Sequence, residues 1–142
     1  MVAAGNIQVE DRKSGSNRMC REKEENRMKD NYGRTINYMR ISITDRCNLH
    51  CSYCMPENIQ YFGMKELLPK EQILAVCRAA VSLGITRFKI TGGEPLVRKD
   101  CVRIISEIKS LNDVEQVTLT TNGVLLEEQA EALKRAGIDC IN

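Results

Sequence analysis

Three cysteines carry the most specific chemistry in this sequence. Cys47, Cys51 and Cys54 form a C-x-x-x-C-x-x-C run among the polar residues Asp45, Arg46 and Asn48. Three thiolates in one tight loop can each bind one iron of a [4Fe–4S] cubane, which leaves the fourth iron without a protein ligand. Zinc is the rival occupant. Structural zinc takes four protein ligands, usually in two pairs. Here only His50 is near enough to be a fourth, and it sits directly beside Cys51, where ligation is strained. His50 reads as a solvated loop residue. Three ordinary core cysteines do not suit so polar a loop. The chain has seven cysteines in all. In a reducing compartment, clustered cysteines bind metal more often than they form disulfides. Of the other four, Cys77 reads as core on a helical face, Cys101 and Cys140 read the same way, and Cys20 reads as a free thiol. None has a partner at ligand spacing.

The second chemical feature is Gly92-Gly93-Glu94-Pro95. Glycines let a backbone approach a ligand closely, and Glu94 is an anionic partner for an ammonium group. An open iron can chelate the amino and carboxylate groups of S-adenosylmethionine (SAM). Carbonyls and amides of the glycine turn could grip the same end of that molecule. An electron passed into the sulfonium then releases methionine and a 5′-deoxyadenosyl radical.

These loops need strands and helices to hold them. Residues Ile36 to Ile43 alternate and are β-branched, so they read as a strand running straight into the cysteine loop. Pro69 opens a helix to about Leu83, stopped by Gly84, with Ile73, Leu74, Cys77, Ala80 and Val81 on one face. TRFKIT (86–91) is a strand that delivers the glycine turn. Asp100 caps a second helix with Val102, Ile104, Ile105 and Ile108 inward. QVTLTT (116–121) is a third strand, turned by Asn122-Gly123. Glu127 to Ala136 is a third helix, ended by Gly137, and 138–142 begin a fourth strand. Strands alternating with helices at roughly 30-residue spacing imply a parallel sheet with right-handed crossovers. The expected fold class is α/β: the N-terminal part of a parallel, partial TIM-type βα barrel over 36–142. A polar, disordered leader over 1–35 is expected before it. In such folds the chemistry lies at the C-terminal ends of the strands, where both motifs fall. A complete barrel needs about 200 residues or more, so this sequence reads as the front part of a longer fold.

Bulk properties narrow the function classes. The 142 residues are 42% hydrophobic but only 4% aromatic, so aliphatic side chains must build the core. A net charge of +2 gives no electrostatic case for a nucleic-acid or membrane partner. No apolar run approaches the roughly 20 residues of a membrane span, and the first residues lack a signal peptide's apolar stretch. The expectation is a cytoplasmic enzyme.

The combination of the cysteine run, its aromatic Tyr53 and GGEP resembles the radical SAM enzymes. The longer strings RISITDRCNLHCSYCMP, KITGGEPLVRKD and LTTNG resemble, within them, the GTP 3′,8-cyclase family of molybdenum cofactor biosynthesis, from about Asp30 to Asn142. This resemblance implies that Cys47, Cys51 and Cys54 hold the SAM-cleaving cluster and that Tyr53 and Gly93 contact SAM. It implies that Arg40, Lys89 and Thr120 contact GTP. The family usually has arginine where this chain has Lys89, which keeps the charge but loses the bidentate fork. The implied partners are GTP as substrate, a flavodoxin- or ferredoxin-type electron donor and, in full-length members, a homodimeric partner. The family also carries a second cysteine cluster near its C-terminus, and no such region occurs in this sequence. The expectation is a chain that generates the radical without completing the cyclisation alone. The alternatives are another radical SAM enzyme, such as a peptide maturase, and a non-catalytic iron–sulfur module.

Overall fold

The computed structural model describes residues 28–52, 54 and 67–142. Four strands form one parallel sheet in consecutive order: β1 (Tyr38–Ser42), β2 (Arg87–Thr91), β3 (Gln116–Leu119) and β4 (Cys140–Ile141). Three helices connect them: α1 (Lys70–Ser82), α2 (Cys101–Lys109) and α3 (Leu126–Arg135). Each crossover runs to the next strand in the same direction. That repetition stacks the helices on one face, where α1 touches α2 and α2 touches α3. The expected α/β barrel segment is therefore present, and among the described residues no helix is long and apolar enough to cross a membrane.

Alternation along the strands creates the core. Phe88, Ile90, Val117 and Leu119 point into the helical layer and are buried. Met39 and Ile41 pack against the same cluster from the edge strand. Helix α2 has nine residues, too short to persist alone in water. Cys101, Ile104, Ile105 and Ile108 each have no exposed surface. Burying each isoleucine contributes on the order of 1.5–3 kcal/mol before the cost of ordering it, so packing makes this helix. Helix α1 ends where Gly84 (φ 92°) turns left-handed, its N–H donating to Val81 O at 2.9 Å.

Three local expectations change. Asp100 stands at the N-cap of α2 but its side chain caps nothing. Arg98 captures the carboxylate instead, Nε to Oδ1 at 2.7 Å. Cys140 is exposed rather than core, because it pairs with Thr118 on the face away from the helices. Residues 28–35, within the stretch that composition assigns to the leader, make a tight hairpin closed by a Lys29–Thr35 bridge. Asp30 organises it by accepting from Tyr32 N and Arg34 N, each at 2.9 Å, and Gly33 (φ 77°) completes the turn. Met28 packs on the core from this hairpin. Cys20 lies outside the described residues.

Candidate functional site

The loops at the C-terminal ends of β1, β2 and β3 interlock through backbone contacts that only certain residues permit. The β1–β2 ladder continues past Ser42, with Ile43 N–H donating to Thr91 O at 2.9 Å. The chain then enters the cysteine loop through Thr44, whose Oγ1 accepts from Arg46 N. The glycine turn lies directly against this segment. Gly93 N–H donates to Thr44 O at 2.8 Å, and Glu94 N–H donates to Arg46 O at 2.7 Å. A Cβ on Gly92 would stand 2.5 Å from Thr44 O, and one on Gly93 would overlap the Arg46 carbonyl group. Both glycines are thus required for backbone to meet backbone. The direction a side chain would take from either glycine is filled by the cysteine loop itself.

Glu94 has a structural job that its sequence context did not announce. Its side chain is 1% exposed. Oε1 accepts from Leu96 N at 2.9 Å and from the Thr121 hydroxyl at 2.8 Å, while Oε2 accepts from Asn122 N at 2.7 Å. A buried carboxylate is tolerated only when hydrogen bonds replace its water, and these three do so. Glu94 therefore joins the tip of β2 to the tip of β3. Arg98 performs a similar task on the cysteine loop. Its guanidinium donates to Ile43 O at 2.6 Å and to Leu68 O at 3.0 Å, on either side of that loop, and holds Asp100 as well.

Within the loop, Cys47, Cys51 and Cys54 are free thiols, the first two half-buried and the third exposed. Leu49 N–H donates to Cys47 Sγ at 3.4 Å, and Cys54 N–H donates to Cys51 O at 3.0 Å, which winds the C-x-x-C turn. Local desolvation, followed by the nearby Cys51 and Cys47 sulfurs, pushes the Cys54 thiol above its usual range. Among the described residues, no three His, Cys, Asp or Glu side chains converge on one metal ion. A cubane takes each thiolate on a different iron, and three cysteines carried on one loop are a donor set that fits the cluster. His50 is exposed, as expected, and Tyr53 lies outside the described residues.

The sheet face opposite the helices is polar. Register places Arg40 beside Lys89, Lys89 beside Thr118, and Thr118 beside Cys140. One step nearer the cysteine loop, Ser42 pairs with Thr91, and Thr120 N–H donates to Ile90 O at 3.0 Å. Arg40, Lys89 and Thr120 therefore share one face, below the loop that carries the thiols. The strands of Arg40 and Lys89 run about 4.8 Å apart, so two like charges share this face and an anion over them would be attracted by both.

Comparison with known proteins decides the family. Residues 41–142 match the model of the radical SAM superfamily. The chain belongs to the radical SAM superfamily. Its cofactors are accordingly a [4Fe–4S] cluster and SAM. This radical SAM chain is 53% identical over 116 residues to the GTP 3′,8-cyclase of Alkaliphilus oremlandii and 48% identical over 116 residues to that of Petrotoga mobilis. Each match covers 81% of the chain and 36% of the relative, so the chain spans about a third of the length of these curated relatives. Among solved structures, BtrN in complex with AdoMet and 2-DOIA superposes with a TM-score of 0.55 at 17% identity, covering 76% of this chain and 45% of that one. At that identity the likeness speaks for the fold alone.

The radical SAM signatures were visible as spacing. Glu94's bracket, the Arg98 clamp and Asn122 were not, because their partners lie 28, 55 and 75 residues away in sequence.

Proposed function

We propose that this chain is the N-terminal, radical-generating part of a cytoplasmic GTP 3′,8-cyclase, a lyase of molybdenum cofactor biosynthesis. In this reading Cys47, Cys51 and Cys54 hold the cluster, and Tyr53 and Gly93 contact SAM. The cluster, when bound, supplies the electron that cleaves SAM. Arg40 and Lys89 bind the triphosphate of GTP, and Thr120 orients the nucleotide from the neighbouring strand. The reading also carries a flavodoxin- or ferredoxin-type electron donor and a homodimer of the full-length protein.

The observation that carries the substrate assignment is the in-register Arg40–Lys89 pair on the polar sheet face. A polyanion over that pair gains two charge-assisted contacts. The pair lies mid-strand, two residues before the Ser42–Thr91 pair from which the cysteine and glycine loops leave the sheet, and a nucleotide bound there would lie on the side of the sheet below those loops. The 46–53% identity to several GTP 3′,8-cyclases supports the same substrate.

The test is anaerobic reconstitution with iron and sulfide, followed by GTP titration. About four irons per chain, GTP binding that weakens at least tenfold in Arg40→Ala, and 5′-deoxyadenosine on reduction with SAM are the expected results. Binding of zinc with no uptake of iron and sulfide, or GTP affinity unaffected by losing Arg40, would overturn the reading.

A further inference from the structure

Asn122 follows β3 in the LTTNG string, and neither the cluster ligands nor the nucleotide contacts include it. Its side chain reaches back 75 residues, with Nδ2 standing 3.8 Å from Cys47 Sγ and 2.8 Å from Asn48 Oδ1. The amide carries two hydrogens, one for each acceptor. Its orientation is fixed from the other end, because Oδ1 accepts from Val124 N at 3.1 Å. A flipped amide would set an NH2 group against that N–H. The backbone is fixed too, since Asn122 N–H donates to the buried Glu94 carboxylate at 2.7 Å. Every degree of freedom that would let this amide leave Cys47 is thereby constrained. Cys47 Sγ already accepts from Leu49 N, so Asn122 brings a second N–H donor, this one from a different strand.

We propose that Asn122 is a positioning residue for Cys47: it orients this thiolate and shares its charge through an N–H···S hydrogen bond. Hydrogen bonds to cluster sulfurs help to set the reduction potential, and donors favour the reduced, more electron-rich state. Outer partners that orient a metal's ligands commonly change its retention by about 10–100-fold when removed. Asn122 would therefore raise the potential of the cluster and slow its loss by acting through the Cys47 sulfur. The inference rests on the cluster reading given above.

Asn122→Asp is the sharpest variant. It keeps the size, keeps an oxygen for Val124 N and keeps the backbone bond to Glu94, but replaces the donor facing Cys47 with an acceptor. Asn48→Ala is the control, because it removes the competing acceptor and leaves Asn122 facing the sulfur. All proteins are reconstituted anaerobically as the 142-residue chain. Iron content, midpoint potential by redox titration, and the rate of iron release to a chelator are then measured. The expected result for Asn122→Asp is a more negative potential and about tenfold faster release, with Asn48→Ala close to the parent on both. Asn122→Ala, which loses the donor without adding charge, should shift the potential in the same direction by less. A potential and release rate equal to the parent in both Asn122 variants would overturn the inference, as would an equal shift in Asn48→Ala. Should the Asn122 variants bind no cluster, their apo melting temperatures decide. Melting like the parent's places the loss at Cys47, as proposed; a collapsed melting transition makes Asn122 a general structural residue and overturns it. Failure of the parent itself to take up iron and sulfide is a different outcome, and sinks the cluster reading instead.

Discussion

Replacing Glu94 with glutamine separates a structural bracket from a ligand contact. The carboxylate accepts three hydrogen bonds while 1% exposed. Glutamine has the same shape but offers one oxygen and one NH2 group. If its oxygen keeps Asn122 N, the NH2 group faces Leu96 N–H, and the Thr121 hydroxyl must turn round to accept. The Asn122 bond survives as a neutral one, the Thr121 bond is reversed, and the Leu96 bond is lost with its buried N–H left opposed. Bonds to charged groups contribute about 1.5–3 kcal/mol and an orphaned buried donor costs about 1–3 kcal/mol. Partial relaxation makes the expected loss about 2–4 kcal/mol. For a chain of this size each kcal/mol shifts the melting temperature by about 2–4 °C or somewhat more, so Glu94→Gln should melt roughly 5–15 °C below the parent. The assay is thermal unfolding of the apo protein by circular dichroism, with a urea series checking that the m-value is unchanged. A carboxylate waiting for an ammonium group predicts the reverse: no change in the apo protein, and weaker binding only when SAM is added. A melting temperature within 1–2 °C of the parent, well inside the shift expected above, would refute the bracket.

Two further outcomes follow from the same loops. Gly93→Ala sets a methyl group into the Arg46 carbonyl and 2.8 Å from Asp45 O. The cysteine loop must then move, so the apo protein should lose about 2 kcal/mol or more by urea unfolding and retain less cluster after reconstitution; parental stability would mean that the two backbones are not in contact. Thiol reactivity gives an independent check: burial pushes Cys77 up to about 11 and Cys101 up to about 12, so both should resist iodoacetamide at neutral pH. Cys47, Cys51, Cys54 and Cys140 should react in the apo protein, and Cys140 alone of these four should still react once a cluster is bound, as read by mass spectrometry of the peptides.

What the sequence made legible was whatever repeats over a few residues. The helical spacing of Ile73, Leu74, Cys77 and Ala80 marks the buried face of α1, and the period-two pattern from Arg87 to Thr91 marks β2. Cys47, Cys51 and Cys54 are legible for the same reason, since a cluster loop is a local object. Glu94 was noticed, but its bracket between β2 and β3 was not. A carboxylate after two glycines looks free until the fold brings Thr121 and Asn122 to it. Asp100 had a local competitor two residues upstream in Arg98, whose guanidinium outbid the helix terminus. Cys140 begins a two-residue strand, too short to reveal which face it takes. The hairpin at 28–35 had a readable signal in Asp30-Asn31-Tyr32-Gly33, a turn sequence with its own side-chain chemistry; high polarity around it hid that signal.

The Arg98 clamp bears on how this fold can vary. One guanidinium ties Ile43 to Leu68, the two chain positions that bracket the cysteine loop. Chain added between fixed ends costs little, since doubling a loop's length adds only about 0.6 kcal/mol of closure entropy. A change of length between two ends that Arg98 holds is therefore cheap in closure entropy. The radical-generating loop behaves as a cartridge, and Arg98 is its socket.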